Sequence, residues 1–145
     1  MEYCLFQLGH NRYAVPLAAV REVLSHPSVS PVPLSPPELS GMTSFRGEVL
    51  PVFTLDSLLM PEQARTEPGE RSRVLVLNFH ESIYGIWVDQ VERMEADAET
   101  LPEPNESEDP LLHETHVHDS VLYLLNPALL HSKLESLFQP APEIF

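Results

Sequence analysis

Gly41-Met42-Thr43-Ser44-Phe45-Arg46-Gly47-Glu48-Val49-Leu50-Pro51-Val52-Phe53-Thr54-Leu55 decides how the rest of the chain is read. It has the pattern of two short strands folded about an Arg46-Gly47 corner. Glycine supplies the backbone freedom of a tight turn, and β-branched and aromatic residues flank it on both sides. Pro51 has no amide hydrogen to give, so the second strand is expected either at a sheet edge or with Pro51 where no donor is needed. A cationic side chain at such a corner sits at the surface. Spacing alone leaves two readings open: a turn arginine that only salts the surface, or a mark of where a partner docks.

Outward from this stretch, the chain repeats itself. Leu5-Phe6-Gln7-Leu8, Tyr13-Ala14-Val15-Pro16-Leu17 and Val20-Arg21-Glu22-Val23 align with Val76-Leu77-Asn78-Phe79, Tyr84-Gly85-Ile86-Trp87-Val88 and Val91-Glu92-Arg93-Met94, an offset of 71 residues. Such a repeat implies two similar β-meanders, each too small to stand alone, packed on a shared core. Alternation and breakers place strands at 3–9, 12–16, 29–33, 41–46, 48–55, 73–80, 83–88, 91–96, 115–118 and 121–125. Leu17 to Leu24 fits a helical face or a strand equally. Asp56 to Met60 fits one helical turn, and Pro61 to Glu70 a polar connector between the halves. Asn126 as N-cap and Pro127 at the first helical position begin a helix running to about Phe138, with Leu130, Leu134, Leu137 and Phe138 as its apolar stripe. The expected organisation is one domain over 1–139, with approximate subdomains 12–70 and 71–125 completed by the N-terminal strand and the C-terminal helix. A flexible tail follows at 140–145.

Composition narrows the chemistry. The 145 residues are 43% hydrophobic and 21% charged, ordinary for a chain that buries a core. Fifteen prolines against five glycines favour short strands and turns over long helices. The formal charge of −14 disfavours generic binding to nucleic acid or anionic lipid. Seven acids and no base lie between Glu95 and Asp109, and with the prolines around them they read as a solvated loop. The single cysteine, Cys4, excludes an intrachain disulfide and fits a reducing compartment; it opens a strand and reads as a buried or interface thiol. The N-terminus lacks the basic and apolar regions of a signal peptide, and no apolar run is long enough to span a membrane.

Catalytic patterns are missing from the sequence. The glycines are too scattered for a phosphate-cradling loop, and no serine sits on a strand-to-helix elbow. His113, His116 and His118, beside Glu114 and Asp119, are the one constellation resembling a metal site: on a strand His116 and His118 share a face, with His113 approaching from a loop. Against the metal reading, three histidines beside an acidic loop also read as solvated and sensitive to pH. They supply the alternative function, a metal- or pH-responsive regulatory module. Trp87 belongs to an apolar run, where a core or interface role is expected.

Two blocks carry a resemblance. Phe45-Arg46-Gly47-Glu48-Val49-Leu50-Pro51-Val52 and Tyr84-Gly85-Ile86-Trp87-Val88-Asp89-Gln90-Val91, following Phe6-Gln7-Leu8-Gly9 and Val20-Arg21-Glu22-Val23, resemble the CheW-like family of chemotaxis coupling proteins over roughly residues 3–135. The resemblance implies a mainly β fold of two SH3-like five-stranded barrels sharing a core, with a C-terminal helix. It implies a non-catalytic adaptor without cofactors, joining the regulatory domain of a sensor histidine kinase to the cytoplasmic helical hairpin tip of a chemoreceptor. Such an adaptor is cytoplasmic and reaches membrane receptor arrays through its partners. Carried over by position, the receptor-binding residues are Glu22, Gly41, Arg46, Gly47 and Gly85, with Glu22 and Arg46 as an acid–arginine pair. The kinase-facing residues are Cys4, Leu17 and Val20. The chain departs from the family at Thr115–Ser120, where a glycine usually precedes the last hairpin.

Overall fold

The structure, a computed structural model, describes residues 2–55, 59, 68–95, 111–117 and 120–137. The first strands are β1 (Tyr3–Leu8), β2 (Asn11–Pro16) and, after a 3-10 turn at Leu17–Ala19, β3 (Val20–Ser25). Then come β4 (Leu39–Phe45), β5 (Glu48–Thr54), β6 (Arg73–Phe79), β7 (Ser82–Val88), β8 (Gln90–Glu95), β9 (Leu112–Val117) and β10 (Ser120–Leu125). Helix α1 (Pro127–Ser136) closes the described chain. Its N-terminus is built as the sequence implies: the Asn126 side-chain Oδ1 accepts from the amides of Ala128 at 3.0 Å and Leu129 at 3.3 Å. Leu130 and Leu134 are buried in the core and Leu137 packs against that core.

The strands form two five-stranded sheets, in the orders β8-β1-β2-β10-β9 and β3-β6-β7-β5-β4. The repeat governs this layout in an unexpected way. Substituting each strand by its counterpart five places along turns the first order into the second. Each sheet therefore takes the leading hairpin of one repeat and the three trailing strands of the other. The division expected near residues 70 and 71 separates the repeats in sequence but not the sheets. After β2 the 3-10 turn redirects the chain, so β3 pairs with β6 instead of with its own hairpin. Hydrophobic alternation specifies that a segment is a strand and which face it buries; it does not name the neighbour across the ladder.

The expected strand at 29–33 is not formed. Pro31 and Pro33 remove two donors, and only Ser30 bridges to Met42, through hydrogen bonds of 2.8 Å in each direction. That bridge explains Pro51. Met42 is opposite Pro51 but spends its amide and carbonyl on Ser30, so the pair needs no ladder hydrogen bond. On the other side the parallel pairing of β5 with β7 spans Val52 to Thr54, beyond Pro51. A proline is thus accommodated in an interior strand. Leu17 to Leu24 resolves as the 3-10 turn followed by β3. Within the segment Asp56–Met60 only Leu59 is described, its amide bonded to the Leu55 carbonyl at 2.8 Å. The acidic stretch beyond Glu95, the connector at 61–67, and Phe138 with the tail lie outside the described residues.

One face of each sheet packs into a common core containing Phe6, Tyr13, Val15, Phe53, Leu75, Leu77, Ile86, Leu125 and the buried leucines of α1. The other face of each sheet carries a small cluster of its own: Tyr3, Ala14, Leu122 and Leu124 in the first, Phe45, Leu50 and Val76 in the second. The second sheet curls so that its edges approach: Glu22 of edge strand β3 reaches Arg46, just past the opposite edge β4, and Leu24 packs against the cluster of Phe45, Leu50 and Val76. Burying both faces gives every strand an apolar role, which is why near-continuous runs such as Val74–Leu77 are wholly buried.

Candidate partner-docking site

The Arg46-Gly47 corner is a two-residue hairpin loop closed by the Phe45–Glu48 pair. Both loop residues have positive φ, 50° at Arg46 and 80° at Gly47, the mirror-type turn that suits the right-handed twist of the flanking strands. Glycine adopts this without strain, whereas arginine does so at a cost of about 1–2 kcal/mol. The result projects the Arg46 guanidinium over the Phe45 ring, 5.2 Å from its centroid, and toward Glu22. Nη2 donates to Glu22 Oε1 at 3.3 Å, and the two side chains are 63% and 38% exposed. This pair joins β3 to the β4–β5 turn, the two edges that the curl of the sheet brings together. Val49, 73% exposed, projects just past the corner.

Of the residues expected at the receptor contact, Glu22, Arg46 and Gly47 are therefore together at the surface. Gly41 and Gly85 are buried and act through packing. A Cβ on Gly41 would lie 2.3 Å from the Ser30 carbonyl oxygen, so its absence permits the Ser30–Met42 bridge. A Cβ on Gly85 would lie 2.7 Å from Val74 Cγ1, with Leu50 and Val52 side chains at 3.4 Å. Gly85 lets the cluster beneath the corner close.

The residues expected to face the kinase divide similarly. Leu17 and Val20 are half-buried at the rim of the common core. Cys4 is a correction: it is 0% exposed, and burial pushes its thiol up to about 11 from an ordinary value of 9.0. It packs in the common core and offers a partner no contact. Trp87 is half-buried, its indole donating to Ser40 Oγ at 3.2 Å.

The histidine constellation differs from its expected layout. His113 is a residue of β9 paired with Leu124, not a loop residue, and His116 pairs with Val121. His118 lies outside the described residues. Among the described residues no three metal-binding side chains converge.

Sequence reasoning missed a second ion pair. Arg12 of β2 grips Glu92 of edge strand β8, with Nε to Oε2 at 3.0 Å and Nη2 to Oε2 at 2.7 Å, the side chains 35% and 20% exposed. The sign was available: Glu92 aligns in the repeat with Arg21, an inversion of charge that marks the two copies as differently used. Nearby, Asp89 Oδ2 accepts from the Gly9 amide at 2.7 Å and the Asp89 amide donates to the Gln7 carbonyl at 2.9 Å. These contacts bind β8 to the leading hairpin.

The CheW-like domain family matches residues 2–135. The chain belongs to this family. Among its relatives, a chemotaxis protein CheW of Treponema pallidum is 29% identical over 91 residues, covering 61% of this chain and 54% of that protein. The protein FrzA of Myxococcus xanthus is 37% identical over 90 residues, covering 62% and 55%. The chain thus spans about half the length of the curated relatives it matches. The crystal structure of the scaffolding protein TtCheW from Thermoanaerobacter tengcongensis superposes with a TM-score of 0.74 at 19% identity, covering 99% of this chain and 96% of that one. The fold is that of CheW: mainly β, two sheets and a C-terminal helix. No helix among the described residues is long and apolar enough to cross a membrane.

Proposed function

We propose that this CheW-like protein is a non-catalytic adaptor. It couples the cytoplasmic hairpin tip of a chemoreceptor to the regulatory domain of a sensor histidine kinase in a chemotaxis or motility pathway. The observation that carries the reading is the Glu22–Arg46 pair, held at the surface by a turn that puts a non-glycine residue at positive φ. Positive φ recurs at exposed His26, Leu34 and His80, so what distinguishes this turn is that it carries a guanidinium to a carboxylate on a neighbouring edge. The apolar Val49 and the charged pair beside it suit a helix that presents an apolar stripe with polar flanks. Leu17 and Val20, half-buried at the rim of the core, are the surface assigned to the kinase domain. Such an adaptor reaches the membrane through its receptor partner.

The test is calorimetry with two probes, a receptor tip hairpin and a kinase regulatory domain from the same genome. Binding to both is expected; binding to neither overturns the reading. Arg46→Glu places an acid beside Glu22 and Glu48, so receptor affinity should fall at least tenfold while the melting temperature stays near wild type.

A further inference from the structure

The two sheets repeat not only their strand order but a defect in it. In the β1–β8 ladder Leu5 pairs with Arg93 and Phe6 with Val91, which makes Glu92 the extra residue of a β-bulge. In the β3–β6 ladder Val20 pairs with Leu77 and Glu22 with Val76, which makes Arg21 the extra residue. Bulges re-aim a side chain, and the repeat aligns these two positions. In the first sheet the bulge aims Glu92 at Arg12, and the charges satisfy each other. In the second sheet the counterpart of Arg12 is Ile83, so no charge waits there. Arg21 instead stands on the rim of a concavity of about 280 Å3, lined by Phe45, Arg46, Glu48, Glu81 and Ile83. Among its charged lining residues half-buried Ile83 supplies an apolar patch beside buried Phe45, and the concavity is continuous with the Glu22–Arg46 pair through Arg46. Among the described residues neither Arg21 nor Glu48 nor Glu81 forms an ion pair.

We infer that Arg21 is a specificity-determining contact of the docking surface. It takes a carboxylate from the partner helix, while an apolar side chain three or four residues away on that helix settles on Ile83. The inference rests on the proposed receptor-docking role of the Arg46 edge. Residues so spaced share one helix face. A guanidinium carries five donors in a plane that matches a carboxylate, and Arg12 shows the same match being made internally in the other sheet. The missing acid of the second sheet is supplied by the partner. Glu48 and Glu81 across the rim repel a second acid and so orient the helix.

Calorimetry tests this with the receptor tip hairpin of the same genome as probe, against wild type, Arg21→Glu, Arg21→Lys and Arg46→Glu. Arg21 is exposed, so its variants should melt as wild type does. Arg21→Glu is expected to weaken binding about tenfold and Arg21→Lys less, because lysine keeps the charge but not the fork. Replacing each surface acid of the hairpin by lysine in turn should restore the Arg21→Glu complex at one position. Wild-type affinity in Arg21→Glu, with binding lost in Arg46→Glu, overturns the role of Arg21 and leaves the docking surface standing. A weakened Arg21→Glu that no acid-to-lysine exchange restores overturns the carboxylate assignment. No binding by wild type overturns the docking surface and the Arg21 contact together.

Discussion

The two sheets carry one strand order and one bulge, yet their equivalent corners are finished differently. In the first, Arg12 and Glu92 close on each other at 2.7 Å and are largely withdrawn from water. In the second, the equivalent positions hold Ile83 and Arg21, the surface stays open, and the ion pair present is the longer and more exposed Glu22–Arg46. Beneath the corners the contrast continues, for Ala14 of the first sheet is replaced by Gly85 in the second. The repeat supplies a frame, one copy closes its charges on each other, and the proposed docking surface lies on the copy that does not. The closed copy spends its charges inward. The open copy leaves them available.

The packing difference predicts the largest effect. Gly85→Ala puts a methyl group 2.7 Å from Val74 Cγ1, between side chains that approach because glycine is there. Overpacking of this kind should cost about 1–3 kcal/mol, lowering the melting temperature by roughly 3–5 °C per kcal/mol. Ala14→Gly, the reverse exchange in the first sheet, should cost about 1 kcal/mol through lost packing and added chain entropy. If Gly85→Ala melts like wild type, the clusters under the two corners are not differently packed.

Next in size is the closed ion pair. Glu92→Ala leaves the half-buried Arg12 guanidinium without its acceptor and loosens edge strand β8, so about 1–2 kcal/mol of stability should be lost. Glu22→Ala at the exposed pair should change stability by less than about 0.5 kcal/mol, and that little should vanish in high salt. Thermal melts at low and high salt measure both. Equal losses would mean that exposure does not separate the two pairs and that the division of labour between the sheets is wrong.

Much of this was legible in the sequence. The strands on either side of Arg46-Gly47, the repeat offset, the Asn126 cap and the leucines of α1 all follow from local patterning, which backbone sterics and burial enforce residue by residue. The exchange of strands between repeats was not legible, because edge pairing depends on where the 3-10 turn after β2 sends the chain. Val29 and Val32 imitated a strand that Pro31 and Pro33 forbid. Cys4 is expected at a surface because a strand residue's face is fixed only once the second sheet is laid against it. Glu22 and Arg46 pair by resemblance; the charge inversion in the repeat hints at Arg12–Glu92, but its geometry depends on the bulge, which no periodicity reveals.

The last comparison concerns the equivalent tyrosines of the two leading hairpins. Tyr13 has a neighbour for its hydroxyl in Asn11, at 3.5 Å. Tyr84 has Ser82 in the corresponding place, and its buried hydroxyl has no hydrogen-bond partner among the described residues. Burial raises the Tyr84 pKa well above its ordinary value of 10.0. Both Tyr84 and Cys4 are then acids that hold their proton longer in the folded chain than in the unfolded one. Between the unfolded and folded values the unfolded state binds fewer protons, so stability falls as pH rises. The decline should begin near pH 9 with Cys4, extend toward about 11, and be reinforced above about 10 by Tyr84. Tyr84→Phe removes a buried polar group without removing a hydrogen bond, so it should be neutral or stabilising by up to about 1 kcal/mol at pH 7. It should also flatten the decline above pH 10. Tyr13→Phe should instead lose a few tenths of a kcal/mol at pH 7, on the order expected for one weak hydrogen bond. Denaturant melts of both variants at pH 7 and pH 10.5 distinguish the copies. A loss in Tyr84→Phe as large as that in Tyr13→Phe would show that the second hydroxyl is as well satisfied as the first, and the two hairpins would differ only at their corners.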